Sequence, residues 1–337
     1  MTQARATATA RLPLVLGLFV AALAGVLVGL ALTATQPVAG VTDPGAAVRF
    51  GLPIVRAVLD LAAVATVGLA LLPILVGFDR PKHLEPVLDA ARRAAAAAAL
   101  LWALAALMAL VLQTAEVRPG VDVSPASIVA YVREFGGGKA LVFVAAVALV
   151  AFGLGIASVR LGEAVPAELR AAVALFGLLP LPVTGHATNL EWRDFTMISL
   201  ELHVLGAVAW TGGLGAIVVL LATQRSLLAT ALPRFSRLAA VCLGVVAATG
   251  LFNALMELAG SGHLLDALFG TGYGVLVLLK VTCLSLLAAL GGNIRLRLLP
   301  EIVRHRRTAL VRWAALELSV MGLAFGFAVV LSRAPVI

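Results

Sequence analysis

The sequence predicts an all-α, polytopic transmembrane helical bundle, and three observations predict it. The 337 residues are 62% hydrophobic and 12% charged, a balance with too little polar surface to face water but well suited to lipid. Apolar stretches of about 20 residues, the length that spans a bilayer, recur along the chain. The arginines gather between those stretches on one side of the implied membrane. The same distribution explains the formal charge of +8, which topology accounts for without nucleic acid.

Nine spans follow in order, or eight if one does not cross: roughly 12–34, 51–77, 93–114, 139–160, 170–186, 196–222, 236–259, 272–294 and 309–332. Lipid offers the backbone no hydrogen bonds, so each is expected to be a helix; the in-out alternation of a membrane barrel is absent. The first span follows Arg5 and Arg11, as a signal peptide would. It is too long for an h-region and lacks a small-residue cleavage site, so it is expected to be retained. The second carries Arg56 and Asp60, and the third contains the alanine run 94–99, filler suited to close packing. Before the fourth lies the longest outside loop, 115–138, in which 124–135 could form a surface helix. The fifth ends in Thr184-Gly185-His186-Ala187, and the sixth opens near Met197. The last three carry Cys242, Lys280 with Cys283, and Glu317 in turn.

With the N-terminus in the cytoplasm, seventeen arginines and lysines fall on inside segments and six on outside ones. That bias selects N-terminus in, C-terminus out.

Ionisable groups inside a membrane cost several kcal/mol, so each needs a reason. Arg56 and Asp60 lie four apart on one helix face and are expected to pair. Lys280 and Glu317 sit at similar depth on consecutive antiparallel helices, and an ion pair, structural or gating, is the economical expectation. Thr249, Asn253 and Glu257 form one polar stripe, with Met256 beside it. Glu201, His203, Met197 and His186 fall, like that stripe, on the outer half of the protein. Imidazole binds copper in either oxidation state and thioether sulfur favours Cu(I), so His186, His203, Met197, Met256 and Glu201 form the candidate metal set. Cys242 and Cys283 lie deeper and read as buried hydrophobes.

Other classes lack their signatures. There is no phosphate-binding Walker motif, no GxGxxG opening a helix, no Gly-x-Ser-x-Gly elbow and no Cys-x-x-Cys-His haem attachment. A non-enzymatic protein is expected, whose transport would be passive or driven by an ion gradient.

The second half resembles the copper resistance protein D (CopD) family of bacterial membrane proteins. The resemblance rests on an ordered series: Thr184-Gly185-His186-Ala187; His203 with Trp210-Thr211-Gly212-Gly213-Leu214; Phe235-Ser236-Arg237-Leu238-Ala239; Thr249-Gly250; Thr271-Gly272-Tyr273-Gly274 leading to Lys280; Asn293 with Pro300; Glu317; and Pro335. It divides the chain into N-terminal membrane helices, 1–180, and a CopD-like region, 181–337. It implies copper transport across the bacterial inner membrane, serving copper tolerance or cuproenzyme supply. It also implies copper contacts at His186 and His203 and a separate periplasmic copper-binding partner. Two other readings stay open. His186 and His203 could be axial ligands of a haem b, or the protein could be a scaffold that binds a copper chaperone without transporting.

Overall fold

The computed structural model describes residues 2–33, 45–77, 84–120, 122–184, 193–259, 264–306 and 308–334, with no strand among them. Eight helices are long and apolar enough to cross a membrane. They are α1 (Thr2–Leu32), α2 (Ala46–Val76), α3 (Glu85–Val117), α5 (Gly136–Leu161), α7 (Arg193–Leu221), α8 (Arg225–Ala259), α10 (Gly272–Asn293) and α12 (Leu310–Leu331). Between them lie the shorter α4 (Pro125–Glu134), α6 (Ala167–Phe176), α9 (Leu264–Gly270) and α11 (Leu299–Val303).

Close approaches fix the helix directions. Gly322 of α12 meets Leu18 of α1, Gly25 meets Leu323 and Gly326, and Gly29 meets Val330, so α1 and α12 run parallel. The start of α2 at Gly51 meets Leu112 near the end of α3, and Gly155 near the end of α5 meets Ala96 near the start of α3. Thus α2 and α5 both run opposite to α3. On α7, Val208 shares an apolar cluster with Leu59 and Val64, while Leu221 shares another with Leu72 and Val76, so α7 runs with α2. Gly206 faces Val246 and Gly213 faces Phe235, which makes α8 antiparallel to α7.

Consecutive long helices therefore alternate, except that α5 and α7 point the same way. The chain between them must cross back, and α6 with its continuation does so. Gly177 lies against Trp102 and Val147, midway along α3 and α5. Leu181 then reaches the level of Arg56 on α2, whose Nη2 donates to the Leu181 carbonyl at 3.3 Å. The expected fifth span is a passage, but a broken one. Gly177, Pro180 and Pro182 stop the α-helix at Phe176, because proline removes a donor and disfavours helix in the residue before it. Tighter bonds, Leu178 to Leu175 at 3.0 Å and Leu181 to Leu178 at 3.1 Å, lead into the 3₁₀ turn Leu181–Thr184. Among the described residues there are thus eight long apolar helices, with the shorter, broken stretch 167–184 running back between α5 and α7.

Small residues hold the bundle together. A Cβ at Gly68 would fall into the Gly212 backbone, and one at Gly326 into the backbone of α1. Such approaches supply the van der Waals packing that drives helix association in lipid. At the end of α2, Gly77 has φ 98°, and Arg234 of α8 donates to the Leu75 and Val76 carbonyls at 3.2 and 2.5 Å. A guanidinium there satisfies carbonyls that the helix leaves without partners and complements its negative end. On the opposite face, Arg333 after α12 pairs with Glu116 of α3, and Arg118 with Glu134 at 2.9 Å. The expected surface helix is α4, capped by a reciprocal Ser124–Ser127 box. Its Tyr131 hydroxyl donates to Gln113 Oε1 at 2.9 Å.

Candidate functional site

His203 lies in the first half of α7, packed against α8. Its Nδ1 is 3.0 Å from Thr249 Oγ1. That hydroxyl donates its single proton to the Val245 carbonyl at 2.6 Å. It is therefore left to accept from His203, which places the imidazole proton on Nδ1 and a lone pair on Nε2. Ser199, one turn earlier on the same face, donates to the Thr249 carbonyl at 3.4 Å. A hydrogen bond that fixes the tautomer and aims the second nitrogen is the outer-shell arrangement of metal-binding histidines.

The antiparallel register extends the polar seam. His203 faces Gly250 and Gly206 faces Val246, so Asn253 comes to the level of Ser199 and Met256 to that of Thr196. The Asn253 Oδ1 is buried without a hydrogen-bond partner among the described residues. Lys280 of α10 is close enough to act electrostatically on His203, and Glu257 on Tyr273. The seam lies between α7, α8 and α10.

The structure does not bring together every expected residue. Lys280 and Glu317 are apart: Glu317 Oε1 is 3.7 Å from where a Gly291 Cβ would stand. Gly291 is eleven residues from Lys280, about 16 Å along the helix. Lys280 instead reaches the level of His203, since each lies eight to ten residues in from the same face. Arg56 and Asp60 do pair, Nε to Oδ1 at 3.5 Å. Glu201 precedes His203 by two residues, about 200° around the helix, and so lies on another face. Met197 is six residues away, about 9 Å along the axis. His186 lies outside the described residues. Among the described residues no three of His, Cys, Asp and Glu converge as a metal cage. Cys242 and Cys283 are free, buried and packed in separate apolar clusters.

Sequence reasoning missed two electrostatic neighbours. One is Lys280 with His203, legible from their equal depth. The other is Trp210 with Glu317: the indole is close enough for the carboxylate to feel it, yet short of hydrogen-bond geometry, so Nε1 has no partner among the described residues.

Comparison with known proteins agrees with this architecture. Residues 42–192 match the family model of the copper resistance protein D-like N-terminal domain, and residues 229–331 match that of copper resistance protein D. A curated relative, the copper transport protein CutJ of Bacillus subtilis (strain 168), is 31% identical over 125 residues. The match covers 35% of this chain and 22% of that protein, so the chain spans about a fifth of the relative's length. No solved structure matches. The chain is a multi-pass, copper-related membrane protein and belongs to the copper resistance protein D family.

Proposed function

We propose that the protein carries copper across the bacterial inner membrane, with His203 Nε2 as a ligand in the half of the bundle opposite the arginine-rich face. The arginine-rich face, which includes Arg234 and Arg295, is the cytoplasmic one, so the N-terminus is inside and the C-terminus outside. The observation that carries the reading is the Thr249–His203 hydrogen bond, which leaves an imidazole lone pair inside a membrane helix pair. Met197 and Met256, farther toward the outer face on the same two helices, would meet the ion on its way to His203, whereas Glu201 lies on another face of α7. His186 would complete the site from the chain just before α7.

Lys280 gives the site a second property. A positive neighbour keeps a bound cation from settling too deeply, as conduction through a membrane site requires. The substrate is the copper ion itself. A separate periplasmic copper-binding protein would deliver it. Alanine at His203 should abolish copper-dependent accumulation in expressing cells while leaving the protein's membrane yield intact. Unchanged accumulation would remove His203 from the pathway. The haem b alternative predicts a Soret band in protein purified from haem-replete cells. The scaffold alternative predicts no copper uptake into proteoliposomes that hold the purified chain alone.

A further inference from the structure

A second polar site lies toward the arginine-rich face, away from His203, and nothing said so far uses it. Glu317 of α12 is only 2% exposed. Its carboxyl meets Gly291, where α10 has no side chain, and the indole edge of Trp210 on α7. Among the described residues no cation stands within ion-pairing distance of it. Just beyond Gly291 and Gly292 the helical run widens into a π-helix, Ile294–Leu298, a distortion frequently found at functional sites.

The surroundings offer the carboxylate no counter-charge. On α10, Lys280 is eleven residues away, and Cys283 packs in another cluster. On the π segment, Arg295 is exposed and donates to the Ser236 carbonyl at 3.1 Å, and Arg297 is exposed. From α7 there is no charged side chain between His203 and Arg225, and from α1 none between Arg11 and Thr33. From α2 the charged groups are Arg49, in its first turn at the far face, and Arg56 and Asp60, which pair with each other. On α12 itself Arg312 is exposed and Arg333 pairs with Glu116. Cys242 of α8 is a neutral thiol in the adjoining apolar cluster. A lone carboxylate in this setting costs several kcal/mol, which the neutral acid avoids.

We propose that Glu317 is a proton-binding site, carrying its proton in the resting protein and exchanging it for copper as the ion passes between α7, α10 and α12. When the cation arrives, the proton leaves the carboxyl oxygen for water at the arginine-rich face. The carboxylate left behind balances the positive ion until the ion departs to the arginine-rich face and a proton returns from the opposite face, so that one proton crosses the membrane with each ion. The coupling half of this proposal rests on the copper-transport reading; the proton occupancy does not.

Two measurements separate them. Infrared difference spectroscopy of lipid-embedded protein, wild type minus Glu317→Gln at neutral pH, should show the carbonyl band of a protonated carboxyl that shifts in heavy water. Its absence would mean an ionised Glu317 and would overturn the proposal. If Glu317→Gln does not fold, Glu317→Asp against wild type serves the same comparison, with a shifted band expected and an unchanged spectrum contradicting the proposal. In proteoliposomes supplied with copper, an imposed pH gradient should raise wild-type steady-state accumulation by up to about tenfold per pH unit for one proton per ion. The same ratio should fall to about one in Glu317→Gln, whatever its residual rate. A variant that responds to the gradient as wild type does refutes the coupling. Wild-type protein that takes up no copper refutes the transport reading instead, and the infrared band then decides the proton site alone.

Discussion

The two sides of α7 contrast. Toward α2 it presents Gly212, whose backbone meets Gly68 directly, and that side is dry and closely packed. Toward α8 and α10 it presents His203, and the facing groups are Thr249, Asn253 and Lys280, a polar seam with a buried unsatisfied oxygen. One helix thus serves as a fixed wall on one side and as a site on the other. Small residues buy proximity where nothing has to move, and polar residues are held where an ion is to be handled.

Damage to the dry side should produce the largest effect. Gly212→Val would drive a branched side chain into the α2 backbone, destabilising the bundle by about 3 kcal/mol or more. Lost membrane yield, or a sharply lower thermal midpoint in detergent, would show it; normal yield and stability would mean that α2 and α7 do not touch there.

Breaking the hinge of the fifth passage comes next. Arg56→Gln leaves Asp60 without its partner and weakens the hold on the Leu181 carbonyl. A loss of about 2–3 kcal/mol is expected, less than for a fully buried pair because both side chains keep some exposure. Restored stability in the double variant Arg56→Gln, Asp60→Asn would sharpen the point, and no change in the single variant would contradict it.

These two cases show what the sequence disclosed. The long helices were legible because lipid enforces length and apolarity with few exceptions. The fifth passage was legible as a crossing but not as a break, although Gly177, Pro180 and Pro182 signal one. The Arg56–Asp60 pair followed from spacing alone. The Lys280–Glu317 pair did not form, because Lys280 lies eight residues from the outer end of α10 and Glu317 seven from the inner end of α12, depths that differ by about 10 Å or more. Helix rotation decides which side chains share a face, and it depends on contacts such as Gly68 with Gly212 that no single segment encodes. That is why Glu201 fell away from His203 and Lys280 came within electrostatic reach of it.

On the polar side, Thr249→Val should weaken copper binding about 10–100-fold while leaving stability almost unchanged. It removes the acceptor that fixes the His203 tautomer and puts a methyl in its place. An equal loss of stability and binding would instead make the hydrogen bond a packing feature.

The smallest effect belongs to the outer rim. Burial raises the Tyr131 hydroxyl above its ordinary pKa of 10.0, with Glu116 adding to the rise. The folded state therefore favours the protonated phenol, and its contribution is complete below pH 10.0 and fades as pH climbs through the raised value. Tyr131→Phe should cost about 1 kcal/mol at neutral pH through the lost bond to Gln113. It should also flatten the alkaline fall in stability; an identical alkaline profile would place the pH dependence elsewhere.

The account turns on whether His203 Nε2 holds copper. Metal analysis of purified, copper-equilibrated protein tests this most directly, wild type beside His203→Ala, with Gly215→Ala as a variant remote from the seam. About one copper per chain is expected in the wild type and the remote variant, and a loss of at least tenfold in affinity in His203→Ala. Equal copper in all three would contradict the claim.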